Sequence, residues 1–295
     1  MLAPHLLLAL AIAAVWLPPV PLLGRARIPP WVALFLAALS LAACDGIVTT
    51  TAWLAVGLLI ALLTGASAAS RTDHPVIKAV FETASIVMLF GFAIQLFPGF
   101  VGTTVISTVR LSADAVPMRL IARFDVGMAA LLLLVLYCTR ITSLIELRVV
   151  ALPTSVVAVL TTVAVVSAAL IAGYIRFEPK WPSFALAYLG KTLLLTAVVE
   201  EAFFCGVLQE RLARSSFFNA SRFRSAMPVV ISAALFGLAH LPGGWTLAAL
   251  ASLAGFGYAL AYALTERIEA PIAVHFLVNA THFIAFTYPQ LAVTQ

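Results

Sequence analysis

Apolar runs long enough to cross a bilayer recur from one end of this sequence to the other, and they restrict the fold more than any other feature. Spanning a hydrocarbon core of about 30 Å takes roughly 20 residues of helix. The composition agrees: 63% of the 295 residues are hydrophobic and only 10% charged, with a mean hydropathy of +1.10. Soluble domains hold about 45–50% apolar residues. The expected fold is all-α, a polytopic transmembrane helix bundle of about eight to ten spans. No sizeable extramembrane domain fits in the remaining length.

In order, the apolar runs cover residues 1–23, 31–44, 53–69, 76–97, 127–137, 153–175, 184–211, 227–241, 247–264 and 272–288. The first lacks a basic leader and a clear cleavage site, so it reads as an anchor and not as a removed signal peptide. Arg25 and Arg27 make a short basic loop, and Arg71, Thr72, Asp73 and His74 close the third run. Glu82, inside the fourth, is expected to be held neutral or to pair with Lys78 one turn earlier. Residues 99–125 carry Arg110, Asp114, Arg119, Arg123 and Asp125 among apolar neighbours, which predicts a helix lying in the membrane interface. The sixth run is expected to start at Pro153. Domain organisation follows: 1–182 is an amino-terminal transmembrane region containing the interfacial segment, 183–288 a functional core, and 289–295 a tail.

The net charge of +5 comes mostly from loop arginines. The loop holding Arg211, Arg214, Arg222 and Arg224 is the most basic and is expected on the cytoplasmic side. No aromatic-basic patch points to nucleic acid. Cys44, Cys138 and Cys205 sit in apolar runs and give neither a disulfide framework nor a CxxC metal site. The Asn219 and Asn279 glycosylation patterns fall in a cytoplasmic loop and in a span, and are discounted.

Chemistry appears when polar residues of the last runs are collected. Beyond small hydroxyls and Lys191, they are Glu200, Glu201, His240, His275, Asn279 and His282. A charge at mid-membrane costs about 3 kcal/mol on insertion scales, so intramembrane acids are functional candidates. Adjacent helical residues diverge by about 100°, so one glutamate should face a polar cavity and the other an adjacent helix. His275, Asn279 and His282 share one helical face. His282 is expected to satisfy a partner inside the bundle. The run containing Gly255 and Gly257 suits close helix packing. Acid, imidazole and amide groups on nearby helices can take a proton from water and hold a developing oxyanion.

These residues resemble the CAAX prenyl protease type 2 and bacteriocin-processing family of intramembrane proteases, also called CPBP or Abi. Its first motif, Glu-Glu-x-x-x-Arg, is met by Glu200 and Glu201 but not at its last position, Cys205. Phe236 and His240 match Phe-x-x-x-His, and His275 and Asn279 match His-x-x-x-Asn. The resemblance spans roughly residues 183–288. It implies an intramembrane endopeptidase acting on a membrane-associated peptide or protein, with the bilayer as its other partner. Glu200 and His240 would activate water, His275 and Asn279 would stabilise the oxyanion, and Glu201 would be a supporting acid. Members have been described as metalloproteases, but this sequence has no HExxH pair. A metal-free glutamate mechanism without cofactor is therefore expected, and zinc enters only if the histidines and a glutamate converge. Without the motif arginine, Glu201 is expected to be unpaired and protonated, and Cys205 to be a small packing thiol. Hydrolysis needs a water-filled cavity, expected to open toward the cytoplasmic side. The rival reading is a non-catalytic, transporter or immunity-type membrane protein of the same fold. The Arg-over-Lys, Ala- and Leu-rich composition points to a bacterial cytoplasmic membrane.

Overall fold

The structure is a computed structural model that describes residues 2–21, 27–71, 74–215 and 226–292. The expectations at Arg25, Thr72, Asp73, Asn219, Arg222 and Arg224 fall outside those residues. The all-α expectation holds. Among the described residues the helices are α1 (Ala3–Ala13), α2 (Pro30–Cys44), α3 (Thr50–Ala69), α4 (Pro75–Ala93), α5 (Phe124–Tyr137) and α6 (Leu144–Ile171). They continue with α7 (Ala185–Arg214), α8 (Ala226–Ala239), α9 (Trp245–Thr265) and α10 (Glu269–Ala285). Five of them, α3, α4, α6, α7 and α9, are long and apolar enough to cross a membrane. Helices α1, α2, α5 and α8 are apolar but shorter. The expected eight to ten full spans are thus five full-length helices and several shorter ones. Pro18 and Pro19 end the first helix early.

Two further expectations are corrected. Residues 99–125 hold no interfacial helix: they form strands β3 (Thr103–Val109) and β4 (Met118–Ala122) of a two-stranded sheet. The run Thr-Thr-Val-Ile-Ser-Thr-Val is β-branched at nearly every position, which favours a pleated chain over a helix. An earlier short pair, β1 (Val20–Pro21) with β2 (Arg27–Ile28), is antiparallel. Helix α6 starts nine residues before Pro153, which lies inside it. Its start is set by a reciprocal cap: Ser143 Oγ accepts from the Glu146 N–H at 3.2 Å, and Glu146 Oε2 accepts from the Thr142 N–H at 2.8 Å. The Lys78–Glu82 pair is present at 3.7 Å.

By contacts the chain divides into one unit of residues 1–105 and 121–136 and a second of residues 106–120 and 137–295. The first packs α1 on α2 and α3 on α4. In it Asp125 is fully buried and held by both Nε and Nη2 of Arg123 at 3.1 and 2.7 Å. The second is built around α7, whose most apolar window is 67% buried, against 28–33% for α3, α4 and α6. Helix α9 packs on α8, α6 and α10. A Cβ at Gly257 would strike the Thr161 side chain of α6, and one at Gly255 would sit 3.0 Å from Phe236 Cβ of α8. Those absent side chains let α9 approach both neighbours, as its glycine content predicts.

The two ends of the second unit differ. At one end the chain before α10 is tied to the chain before α6, through Ile268 N–H to Thr139 O at 3.0 Å and Ile141 N–H to Glu269 Oε1 at 2.8 Å. At the other end the tail after α10 pairs with the linker before α7 and with the turn between β3 and β4. Thr287 N–H donates to Arg176 O, Leu291 N–H to Tyr174 O, and Ala292 N–H to Asp114 O. Arg176 and Asp114 close this cap with a 2.7 Å ion pair.

Candidate active site

Helix α7 is irregular where it matters. Wide, π-type turns at Thr192–Ala197 and Ala202–Gln209 bracket a single α-helical turn, Val198–Glu201, which carries both acids. Wide turns inside helices are frequent at functional sites because they re-aim side chains without ending the helix. Glu200 and Glu201 diverge as their adjacency predicts. Glu201 is fully buried, while the Glu200 side chain keeps 26% exposure and faces a cavity.

Glu201 is not unpaired, and this corrects the expectation drawn from the missing arginine. Its Oε1 accepts from His275 Nδ1 at 2.6 Å, and its Oε2 accepts from the Cys205 thiol at 3.2 Å. The partner comes from α10, which the sequence could not place against α7. His275 is fixed on three sides: it stacks on Tyr258 of α9, centroids 4.6 Å apart and planes at 6°, and meets Phe236 of α8 edge-on at 5.9 Å. With Nδ1 bound to Glu201, its Nε2 points at Glu200 Oε2, 3.9 Å away. One water or one substrate oxygen can touch both atoms across that gap.

His240, at the end of α8, sets its Nδ1 2.8 Å from Phe236 O. A carbonyl only accepts, so Nδ1 carries the proton and Nε2 keeps a lone pair. Glu200, His240, His275, Asn279 and His282 all line one cavity of about 430 Å³. His282 gives Nε2 to Thr287 O at 3.2 Å, the partner inside the bundle that was expected. Cys205 is 1% exposed, as a packing thiol should be. Tyr258 and Phe236 as the clamp on His275 were not read from the sequence. The only signal for Tyr258 was a phenol in a helix otherwise rich in Gly, Ala and Leu.

The cavity does not extend toward the basic end. On α7 its lining runs from Glu200 back to Tyr188, on α10 from His275 forward to His282, and on α9 from Tyr258 back to Leu247. These helices alternate in direction, so the cavity fills the half of the unit away from Arg211 and reaches the cap, where Tyr174, Tyr288 and Gln290 join its wall. The expected opening on the side marked by the arginine-rich loop is therefore corrected. In that cap burial raises the Tyr288 phenol above its ordinary range despite the bond from Tyr188, and raises that of Tyr174. Burial likewise lowers the Lys180 ammonium against the pull of Glu178.

Among the described residues no three His, Cys, Asp or Glu side chains converge at coordinating spacing. His275 Nδ1, His240 Nδ1 and His282 Nε2 are each engaged elsewhere, which leaves Nε2 of His275 and of His240 to the cavity.

Residues 181–281 match the family model described as type II CAAX prenyl endopeptidase Rce1-like. No curated protein and no solved structure matches the chain. The matched stretch contains Glu200, Glu201, His240, His275 and Asn279. Over residues 181–281 this integral membrane protein is therefore similar to the Rce1-like type II CAAX prenyl endopeptidases.

Proposed function

We propose that the chain is a glutamate-dependent intramembrane endopeptidase. The observation that carries the reading is the 3.9 Å gap between Glu200 Oε2 and His275 Nε2 at the inner end of a cavity, with the far side of His275 anchored on Glu201. A water in that gap gives its proton to the Glu200 carboxylate, and the hydroxide so formed adds to the substrate carbonyl carbon. His240, through the Nε2 lone pair, orients the same water. With a proton on Nε2, His275 donates to the tetrahedral oxyanion, and the Asn279 amide is the second donor. Glu200 then passes its proton to the amide nitrogen as the carbon–nitrogen bond breaks, which restores the carboxylate. Glu201 touches no substrate; it fixes the angle of the His275 ring and stabilises its protonated form. No step of this mechanism runs through a metal. Substrates are membrane-associated peptides or proteins, because the cavity is walled by helices of membrane length.

The test compares membrane-protein termini, by mass spectrometry, in cells expressing the wild type, Glu200→Gln or His240→Ala. New carboxy termini present only with the wild type are expected, unaffected by a zinc chelator. Identical termini in all three strains would refute the assignment, and loss on chelation would refute the metal-free step.

A further inference from the structure

We infer that the cavity carries a subsite for a substrate carboxylate, formed by Lys191 with Arg119. Lys191 lies about two turns inside α7, within an apolar stretch where an ammonium is costly to hold. The ordinary resolution for such a lysine is to snorkel toward the nearer helix end, here Ala185. This one does the opposite. Its Nζ runs deeper and donates to Thr196 Oγ1 at 2.9 Å, a residue five places further into the helix, reached across the wide turn. The second ordinary explanation is a structural ion pair, but the Glu200 carboxylate, whose charge attracts the ammonium, does not reach it. No carboxylate lies within 4.0 Å of Lys191 Nζ among the described residues. An ammonium has three donors, so two remain for the cavity that Lys191 lines.

Arg119, on β4, lines the same cavity nearer the cap, and its guanidinium makes no hydrogen bond or ion pair with another described residue. Two cations therefore share the cavity with a single acid, Glu200. The other walls are largely apolar, from Val166, Leu247 and Leu250. Such a surface fits an apolar peptide bearing one carboxylate. The position of that carboxylate follows from α7: Thr196 precedes Glu200 by four residues, about 6 Å along a helix. Extended chain covers about 3.3 Å per residue, so the anion sits about two residues from the bond presented to Glu200. It is either the terminal carboxylate of the substrate or an aspartate or glutamate side chain near the cleavage point. This placement rests on the proposed hydrolytic role of Glu200; the existence of the subsite does not.

The test is a binding measurement that needs no turnover. The full chain carrying Glu200→Gln, in nanodiscs, is titrated with a fluorescent N-palmitoylated Ala-Ala-Leu-Ala-Ala peptide by anisotropy. Three forms are compared: free carboxy terminus, carboxamide, and carboxamide with glutamate at the central position. At least one carboxylate form should bind about 10- to 100-fold more tightly than the neutral one, the range of a charge-assisted pair. Lys191→Met should remove that preference, and Arg119→Gln, at an exposed position that leaves the fold untouched, should reduce it. Preference for the first form identifies the chain terminus, and preference for the third an acidic side chain. Equal binding by all three, no binding by either carboxylate form, or a preference that survives both substitutions overturns the subsite. Charge-dependent binding without any cleavage by the wild type would leave the subsite standing and remove the protease.

Discussion

The two adjacent glutamates should separate cleanly in a stability experiment, because one holds the fold and the other faces open space. Replacing Glu201 by Gln keeps one carbonyl that can accept from His275 Nδ1, but it exchanges a charge-assisted bond for a neutral one. Those classes differ by about 1–2 kcal/mol. It also sets an amide N–H₂ against the Cys205 thiol, whose 3.2 Å bond to Oε2 is lost in a site with no solvent. The total is about 2–3 kcal/mol. Glu200 makes no hydrogen bond shorter than its 3.9 Å approach to His275 and is 26% exposed, so Glu200→Gln should cost less than about 1 kcal/mol. With about 2–4 °C per kcal/mol for a domain of this size, Glu201→Gln should lower Tm by about 4–12 °C and Glu200→Gln by no more than about 4 °C. The five tryptophans make intrinsic fluorescence during heating of the detergent-solubilised protein a direct readout. Both variants should still abolish cleavage. Equal shifts, or a larger one for Glu200→Gln, would mean that the roles assigned to the two acids are wrong.

Cysteine chemistry gives a second check. Cys44 is exposed, Cys205 is buried, and burial raises the Cys138 thiol above its ordinary range, so maleimide should modify one thiol quickly in the native protein and three after unfolding; rapid modification of Cys205 would contradict its packing. The cavity direction can be read with a membrane-impermeant thiol reagent on vesicles of a Cys44→Ser variant: Arg119→Cys and Arg211→Cys should label from opposite faces, and labelling from the same face would reject the placement. The cap should loosen in alkali. Tyr288 and Tyr174 are held protonated above the ordinary phenol range, so the folded state keeps protons that the unfolded chain releases. Their contribution is complete below about pH 10 and declines as the pH rises beyond it. Tm measured between pH 8 and 11 should fall at the top of that range, and Tyr288→Phe should flatten the fall; a rise in Tm would reverse the sign.

How much of this could be read without coordinates varied with the range of the interaction involved. The helical runs and the divergence of Glu200 from Glu201 are local, set by periodicity along one element, and both were legible. Ser143 and Glu146 fixed the start of α6 by a pattern as local as Pro153, yet the proline dominated the reading because its usual place is a first turn. The strands at Thr103–Val109 were hidden by their arginine-bearing surroundings, which suit an interface as well as a sheet. The errors at the site had a different origin. Glu201 was expected to lack a partner because the position one turn away on its own helix offers none that is charged. The imidazole that pairs with it stands 74 residues later in the chain. The depth of His275, only six residues into α10, makes sense once Ile268 and Ala270 are found fully buried, so that this helix begins below the surface of the bundle.

The same depth argument separates hydrolysis from transport. A conduit needs polar or open space on both sides of its central site, so that the cargo can leave by a route different from its entry. On the side of Glu200 toward Arg211, α7 is closed. Cys205, Gly206 and Val207 are buried, a Cβ at Gly206 would strike the Cys138 thiol, and Gln209 is 3% exposed with its Nε2–H donated to Ala259 O at 2.8 Å. None of the residues lining the cavity lies in that half of the helix. Past Glu201 the next polar side chain is thus tied to a backbone carbonyl, and no relay leads on from it. A space that ends on an acid and an imidazole, and holds two cations nearer its mouth, can admit a peptide and release its fragments by the same door. A transport cycle would have to break the α7–α9 contact at Gln209 to pass anything further.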